Sequence, residues 1–399
     1  MKVLMISDMY PTTRNRASGT FVQCQAAELV RQGIDVQVLL PVAERFPFPK
    51  TDPPCEPPAP EDPLVFFVHY LHFPQRVLPS LEVFFLLRKL TAAARRVRAT
   101  FRFDILHAHR LFPNGYVSML LARRLGVPCV VTAHGNDVNK HPFEDERIAR
   151  YTRTVIAGAD QVVAVSQALR EKLLTLAEPL RPVRVVYNGI DTERFRPREN
   201  KGTLRTELRL PETGIGICTV CRLVEEKGLA ELAHAFTAIA RSHPGVWLVM
   251  VGDGPLRTRL EIWVREEHLK GRVFLPGAVR HNDVSLWLAA TDLFVLPSYR
   301  EGIPLTVFEA MACARPVVAT TVGGIPELAL NGITAILIPP REAGALRSAL
   351  LTLIESAEVR QRFGEAGCRR VGERFRWSQS AASLATIYGE VLAFRKQAA

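Results

Sequence analysis

The sequence predicts an α/β protein with two doubly wound, mostly parallel sheets. With 399 residues, the chain is too long for one ordinary domain. Short apolar segments alternate with helical patterns, and this alternation starts again near residue 214. The hydrophobic fraction of 48% and the charged fraction of 23% are typical of a globular protein. We therefore expect two domains, 1–188 and 189–376, followed by a C-terminal helix within 377–399.

In the first half, strands are expected at 3–7, 35–40, 64–70, 105–108, 129–133 and 161–166. A helix is predicted from Thr20 to Gln32, and Gly33 stands where helices commonly end. Eight prolines between Phe46 and Pro63 predict an extended loop.

In the second half, strands are expected at 216–221, 247–251, 273–275, 293–296, 316–319 and 335–338. Asn188-Gly189 is a strong turn signal and a candidate hinge between the halves. Parallel sheets bind ligands beyond the carboxyl ends of their strands. Two facing sheets would therefore place two substrates in one crevice.

The most informative segment runs from Glu301 to Glu309, after the buried strand at 293–296. It places one carboxylate in a loop and the other one turn into a helix, and Pro304 suits the first helical turn. The helix N-terminus between the carboxylates favours a phosphate. Carboxylates on either side of a phosphate suit hydroxyl-rich groups such as a ribose and a sugar ring. The segment therefore indicates a nucleotide-sugar site.

Arg222 and Lys227 follow the strand at 216–221, immediately before Gly228 and the predicted helix 229–242. Arginine offers a planar fork of donors and lysine a point charge, so the two cations suit a pyrophosphate. The alternative is a solvated surface loop. The carboxylate pair in the same half favours the pyrophosphate site.

Three further positions lie at expected strand ends. Gly252-Asp253-Gly254-Pro255 lacks the third glycine of a dinucleotide fingerprint, because Arg257 stands there, and a tight turn is its simpler explanation. Gly19 opens the first helix and would let the backbone approach a phosphate or an acceptor sugar. His134 follows the strand at 129–133 and is a better site candidate than His107 and His109, which flank the end of another strand.

The net charge is +11, and no acid occurs from residue 83 to residue 103. A helix at 84–102 would carry one basic stripe, opposite an apolar stripe. Two interpretations remain open: an anionic membrane surface binds this helix, or the helix packs on the core with its basic face in water. Nucleic acid is disfavoured, because no recognised binding motif accompanies the charge. The basic stripe consists of Arg88, Thr91, Arg95, Arg98 and Arg102, and the apolar stripe of Leu86, Leu90, Ala93, Val97 and Phe101.

Seven scattered cysteines fit a reducing compartment, and no apolar run approaches the roughly 20 residues that span a bilayer. The apolar start of the chain is too short for a signal peptide and is predicted to be a strand. We therefore expect a cytoplasmic protein, with peripheral attachment to the inner face of the plasma membrane as an open alternative. No D-x-D spacing suits a metal-bound diphosphate, so no metal site is predicted.

These motifs resemble those of the retaining glycosyltransferases of family four, the group 1 type with the GT-B fold. The similarity rests on Arg222 and Lys227 in R-(x)4-K-G, on Gly252 to Pro255, on Glu301 and Glu309 in E-x7-E, and on His134-Gly135. It extends over nearly the whole chain. Cys221 departs from the pattern, since glycine commonly precedes the arginine. The resemblance implies two facing Rossmann-like domains with a cleft between them, and a C-terminal helix, here 378–394, that crosses back to the first domain.

The resemblance also implies residue roles. Arg222 and Lys227 would neutralise the diphosphate, Glu309 would bind the ribose, and Glu301 would bind the transferred sugar. His134 would contact the sugar or acceptor near the anomeric centre. The catalytic candidates are thus His134, Glu301, Arg222 and Lys227. The donor-binding candidates are Gly19, Gly252, Gly277, Val279, Gly302, Ile303, Pro304, Leu305, Thr306 and Glu309.

The predicted activity is metal-independent, retaining transfer of a hexosyl-type sugar from a UDP- or GDP-sugar to a glycan or lipid-linked acceptor. The nucleotide-sugar is a co-substrate, and no cofactor is expected. The predicted role is synthesis of cell-surface polysaccharide or glycolipid. Two alternatives are a GT-B nucleotide-sugar 2-epimerase, which needs no acceptor, and a non-catalytic nucleotide-sugar-binding subunit.

Overall fold

The computed structural model describes residues 1–12, 19–45, 63–73 and 78–398. The chain forms two compact units. Unit 1 consists of Met1–Gly189 and Trp377–Ala399, and unit 2 consists of Ile190–Arg376. The loop predicted at 46–63 lies outside the described residues except for Pro63, and Ser18 also lies outside them.

Unit 1 contains a sheet of seven strands. In chain order they are β1 Lys2–Ile6, β2 Asp35–Arg45, β3 Leu64–His72, β4 Ile105–His109, β5 Cys129–Ala133, β6 Gln161–Ala164 and β7 Arg184–Val185. Their spatial order is β3-β2-β1-β4-β5-β6-β7, and every neighbouring pair is parallel. Strands β4, β5 and β6 are buried along their whole length. Burial on both faces is typical of the central strands of a parallel sheet.

In the described part of the chain, seven α-helices lie between these strands: α1 Thr20–Arg31, α2 Pro79–Thr100, α3 Tyr116–Leu125, α4 Asn136–Asn139, α5 His141–Glu144, α6 Glu146–Gly158 and α7 Gln167–Leu176. Side-chain capping at the N-terminus determines where some of these helices begin. The Ser166 hydroxyl accepts a hydrogen bond from the Leu169 N–H at 3.2 Å and begins α7, so the preceding strand ends at Ala164 rather than at Ser166.

Strand β2 runs five residues beyond its predicted end at Leu40. Pro41 follows Leu40, and proline cannot donate to a sheet ladder. In the structure β1 pairs with β2 only as far as Ile6 opposite Leu39, so no β1 carbonyl faces the Pro41 nitrogen. The extended part pairs with β3 on the other side, as far as Arg45 opposite His72.

Unit 2 contains a second parallel sheet with the strands β8 Ile215–Val220, β9 Val246–Val251, β10 Val273–Gly277, β11 Leu293–Leu296, β12 Val317–Thr320 and β13 Ala335–Ile338. Their order is β10-β9-β8-β11-β12-β13. The helices of this unit are α8 Lys201–Glu207, α9 Leu229–Ser242, α10 Arg257–Glu266, α11 His281–Ala290, α12 Leu305–Ala312, α13 Ile325–Leu328, α14 Ala343–Glu355 and α15 Ala357–Arg374. The predicted class of two doubly wound parallel sheets is confirmed.

The last helix, α16 Trp377–Ala398, belongs to unit 1, as predicted for the C-terminal segment. Ala381, Leu384, Ile387, Tyr388 and Val391 are buried in the same apolar cluster as residues of β1, β2 and α1. The Gln25 amide of α1 donates to the Ser380 hydroxyl at 3.1 Å. Residues far apart in the sequence therefore complete one core.

Helix α2 is amphipathic, but its basic face differs from the predicted stripe. The Arg98 guanidinium donates to the Leu125 carbonyl at 2.8 Å, at the end of α3, and lies over the Phe103 ring. Arg98 therefore stabilises the fold. Thr91 donates to the Leu87 carbonyl. The exposed cations are Arg88, Lys89, Arg95, Arg96 and Arg102.

The exposed side of α2 also carries apolar side chains. Leu81 and Phe84 are 39% and 57% exposed and precede Arg88 at helical spacing. We call Leu81, Phe84, Arg88, Ala92 and Arg95 the α2 outer stripe. Within the described residues, no helix combines the length and the apolar character that crossing a membrane requires.

Candidate active site

In unit 2, the predicted donor-side residues follow four neighbouring strands. Arg222 and Lys227 come after β8, Gly252 after β9, and Glu301 after β11, whereas Gly277 ends β10. Because these strands are parallel, their carboxyl ends share one edge of the sheet. The fold therefore brings the separate motifs of the second half to one edge.

The segment from Arg222 to Lys227 is held against the loop that follows β11. It ends in a short 3₁₀ turn, Glu225–Lys227, and Gly228 then adopts φ 66° before α9. A Cβ at Gly228 would lie 2.0 Å from the Pro297 carbonyl oxygen, so only glycine fits. The Arg222 side chain is exposed, and its guanidinium makes no hydrogen bond or ion pair with the described residues.

Lys227 and Glu301 form an ion pair between the β8 and β11 loops. The Lys227 Nζ donates to Glu301 Oε1 at 2.6 Å, and the Ser298 hydroxyl donates to the same oxygen at 2.7 Å. Burial lowers the pKa of Lys227, but the Glu301 carboxylate, together with Cys221 and Glu226, raises it, and the net direction is upward. The lysine is therefore held charged at the sheet edge.

Helix α12 begins directly after Pro304, so this proline caps the helix and lies before its first turn rather than within it. Ile303 and Pro304 are buried, whereas Gly302, Leu305 and Thr306 are partly exposed. The first N–H groups of a helix have no partner within it. This N-terminus can therefore donate to an anion or to sugar oxygens.

Glu309 lies in the second turn of α12 and is 3% exposed. Burial, partly offset by the charge of Arg194, raises the pKa of its carboxyl to about 8. The Nδ1 of His281 lies 3.6 Å from Glu309 Oε1. Burial lowers the pKa of His281 to about 4, so this imidazole is neutral at pH 7. Glu309 thus lies shielded from solvent, where its carboxyl group can form hydrogen bonds with the hydroxyl groups of a ligand.

Gly252 and Gly277 connect the ends of β9 and β10. The Gly252 N–H donates to the Gly277 carbonyl at 2.9 Å. Gly252 has φ 140°, and a Cβ there would lie 1.8 Å from the Cys221 carbonyl oxygen. Val279 follows β10 and is partly buried. Close packing of two loops therefore explains glycine at position 252, independently of any ligand.

Gly19 and His134 lie in unit 1, at the carboxyl ends of β1 and β5. Gly19 precedes α1 with φ 69°, and a Cβ there would lie 2.2 Å from the Met9 carbonyl carbon. The Phe21 and His134 rings are 4.8 Å apart. Within unit 1, the structure therefore places Gly19 at the same sheet edge as His134.

His134 is one of three neighbouring histidines. Its Nε2 lies 2.9 Å from the Nδ1 of His109, and the His109 and His107 rings are 4.5 Å apart. Burial, with smaller contributions from His107 and Arg110, lowers the pKa of His134 to about 3. The pKa values of His107 and His109 also lie well below their usual value, chiefly because of burial. All three imidazoles are therefore neutral at pH 7.

A polar cluster that sequence reasoning missed lies beside these histidines. Asp8 follows β1, accepts from Arg110 at 2.7 Å and accepts from the Asn114 amide at 2.7 Å. Arg110 follows β4 and has φ 76°, an unfavourable conformation for a residue with a Cβ. The rule that used strand ends to find His134 would also have found Asp8 and Arg110.

Asp137 is a second missed residue. Its Oδ1 accepts from the N–H groups of His134 and Gly135, and its Oδ2 accepts from the Leu111 N–H. These bonds fix the turn that carries His134. Among the described residues, no three histidine, cysteine or acidic side chains are grouped closely enough to hold a metal ion.

Two family models match the chain. The model described as Glycosyltransferase Family 4 matches residues 18–194, and the model described as Glycosyl transferases group 1 matches residues 200–370. A curated relative is the putative teichuronic acid biosynthesis glycosyltransferase TuaC of Bacillus subtilis. It is 31% identical over 364 residues, which cover 88% of each chain.

Solved structures resemble the chain over almost its whole length. Sucrose-phosphate synthase from Thermosynechococcus elongatus matches with a TM-score of 0.80 and 22% identity, covering 98% of this chain and 99% of that one. HepE of Anabaena in complex with UDP-glucose matches with a TM-score of 0.77 and 21% identity, covering 98% and 100%. At this identity the likeness supports the predicted GT-B fold.

Proposed function

This chain belongs to the group 1 glycosyltransferases of family four, and from that premise we propose a specific activity. It transfers a hexosyl-type sugar from a UDP- or GDP-sugar to a glycan or lipid-linked acceptor, with retention of configuration and without a metal. The role is synthesis of cell-surface polysaccharide or glycolipid. The relative TuaC, whose name refers to teichuronic acid biosynthesis, supports this role.

The observation that carries the proposal is the Lys227–Glu301 ion pair beside the N-terminus of α12. Lys227 and the exposed Arg222 supply positive charge for a diphosphate and for its leaving oxygen. Glu301 and the α12 N–H groups supply acceptors and donors for sugar hydroxyls. Glu309, one helical turn further along, binds the ribose. The UDP-glucose complex of HepE supports this type of donor.

The proposed retention does not require a nucleophilic carboxylate in unit 1. The Asp137 carboxylate is engaged by three backbone N–H groups, and Asp8 is held by Arg110 and Asn114. Neither is placed as a free nucleophile. In the front-face mechanism, the leaving phosphate accepts the proton of the acceptor hydroxyl as the new glycosidic bond forms on the same face. Arg222 and Lys227 stabilise the negative charge on that phosphate.

We also propose that the α2 outer stripe binds the anionic inner face of the plasma membrane. Leu81 and Phe84 would enter the interface, and Arg88 and Arg95 would face lipid phosphates. This contact would bring the enzyme to a lipid-linked acceptor in the cytoplasmic leaflet. The α2 outer stripe is better suited to membrane attachment than the predicted stripe. Its residues are exposed, and Leu81 and Phe84 give it an apolar end.

A nucleotide-sugar panel tests the proposal. Purified enzyme in EDTA is incubated with UDP-, GDP- and ADP-sugars, and melting temperature and nucleotide release are measured with and without lipid-linked glycan acceptors. We expect one nucleotide to raise the melting temperature and its sugar conjugate to be consumed only with acceptor. Proton NMR of the product then reports its anomeric configuration.

Each contrary outcome has a definite meaning. Acceptor-independent formation of free sugar would indicate the 2-epimerase instead, and binding without turnover on any acceptor would indicate the non-catalytic subunit. An inverted product would overturn the front-face mechanism. Loss of activity in EDTA that Mg²⁺ restores would overturn metal independence.

A further inference from the structure

The neighbouring strands β4 and β5 place His109 beside His134. The 2.9 Å separation of His109 Nδ1 and His134 Nε2 is a hydrogen-bond distance between two ring nitrogens. Both imidazoles are neutral, so each carries one N–H. One ring must therefore donate to the other, and the direction decides which His134 nitrogen remains protonated.

The other nitrogen of His109 determines the direction. His109 is fully buried, and its Nε2 has no hydrogen-bond partner in the described part of the chain. If Nε2 carried the proton, an N–H donor would be buried without an acceptor. Buried donors without partners are rarer than buried acceptors without partners. The proton of His109 therefore lies on Nδ1 and points to His134 Nε2.

The direction of this hydrogen bond also determines the protonation of the other His134 nitrogen, Nδ1. The Nε2 of His134 accepts the hydrogen bond and is therefore unprotonated, so the single ring proton of His134 lies on Nδ1. His134 is half-buried, and its Nδ1 makes no hydrogen bond within the described residues. We propose that His109 is a positioning residue that holds His134 as the Nδ1–H tautomer, so that His134 offers the substrate a hydrogen-bond donor and not a base. The substrate role rests on the proposed function.

This assignment agrees with a reaction that needs no enzymatic base. An Nδ1–H group can donate to a sugar hydroxyl, but it cannot remove the proton of the acceptor. His107 packs beside His109 and is itself held by two hydroxyl groups. The His107 ring lies 4.5 Å from the His109 ring in a tilted arrangement. The Tyr388 hydroxyl lies 2.6 Å from His107 Nδ1, and the Thr132 hydroxyl lies 2.8 Å from His107 Nε2. Through Tyr388, helix α16 contacts His107 and not the hydrogen-bonded pair of His109 and His134.

The test is NMR of ¹⁵N-histidine-labelled full-length enzyme near neutral pH, with ring signals assigned through single histidine variants. We expect His134 Nδ1 to show the signal of a protonated nitrogen and Nε2 that of a bare nitrogen, without any substrate present. The reverse pattern on His134 would overturn the inference. Absence of glycosyl transfer alongside the expected signals would overturn the proposed function but not the tautomer.

Variants add a second readout. His109→Leu removes the donor, so the His134 signals should move to an average of the two tautomers and kcat/KM should fall about 3- to 10-fold. His109→Asn places an amide donor near the former Nδ1 and should restore both. Tyr388→Phe is the matched control: it should lower the melting temperature and leave the His134 signals unchanged. Unchanged His134 signals in His109→Leu would overturn the inference.

Discussion

The Nζ of Lys227 lies 2.6 Å from Oε1 of Glu301, and each residue comes from the loop after one of two neighbouring strands. The pair therefore orients both side chains before any donor binds. Since Glu301 also accepts from the Ser298 hydroxyl, its carboxylate is fixed from two sides. Such prior orientation is what a site for transition-state charge requires.

The first prediction concerns Glu301. Glu301→Gln keeps the size of the side chain but removes the charge, so transfer should fall at least about 100-fold. Nucleoside diphosphate affinity should change only a few-fold, because the proposed partner of Glu301 is the sugar. Steady-state kinetics and calorimetry measure the two effects. Glu225→Gln, an exposed carboxylate nearby, is the control; normal turnover by Glu301→Gln would refute the assignment.

The second prediction concerns Arg222. Its exposed guanidinium should bind the diphosphate, and charge-assisted hydrogen bonds contribute about 1.5–3 kcal/mol. Arg222→Ala should therefore weaken UDP or GDP binding by about 10- to 100-fold and abolish the thermal shift at matched ligand concentration. Arg259→Ala removes an exposed arginine from α10 of the same unit and should retain the shift. Equal shifts in both variants would contradict a diphosphate role.

The third prediction concerns the buried carboxyl of Glu309. Its pKa of about 8 in the folded protein exceeds the usual value of 4.5, so between these values the folded state holds a proton that the unfolded chain has released. The free energy of unfolding must therefore fall as pH rises through this range. Glu309→Gln should lack this fall and gain on the order of a few kcal/mol relative to wild type between about pH 5 and pH 8.5.

Denaturant unfolding across this pH range measures the effect. Glu358→Gln, at an exposed position in α15, is the matched control for the same chemical change. If the stability difference between Glu309→Gln and wild type does not vary with pH, Glu309 does not titrate as its burial requires.

The fourth prediction concerns the α2 outer stripe. Each cation near an anionic surface contributes about 1 kcal/mol, so Arg88→Gln with Arg95→Gln should weaken binding to anionic vesicles by about 10- to 30-fold. Phe84→Ser should weaken it further. Sedimentation with anionic and neutral vesicles measures binding. Arg259→Gln with Arg265→Gln in unit 2 is the control. Equal binding to both vesicle types would rule out the electrostatic attachment.

Much of the fold could be predicted, because most strands of both sheets are rich in apolar residues and lie between turn signals. Strands β5, β11 and β13 begin and end where the sequence predicted. The errors arose where tertiary contacts decided the outcome. Pro41 continues a strand because its neighbour has already ended, and Arg98 leaves the basic face to bind a carbonyl at the end of another helix.

The candidate site was only partly predictable. Motif spacing identified the segments after β8 and β11, but no spacing rule could show that Lys227 contacts Glu301, since 74 positions separate them. Pairing between His109 and His134 was equally hidden, because it depends on which strands are neighbours. Asp8 and Arg110 were missed although both follow strands, because neither belongs to a motif with a recognisable spacing.

Helix α16 supplies part of the unit 1 core although it follows all of unit 2 in the sequence. On a ribosome, the chain for unit 2 is therefore complete while unit 1 still lacks Tyr388 and its neighbours. The usual order, in which the N-terminal domain finishes folding first, should thus be reversed. The nascent first unit would wait with an open apolar face until α16 emerges, and that interval is when chaperones would be needed most.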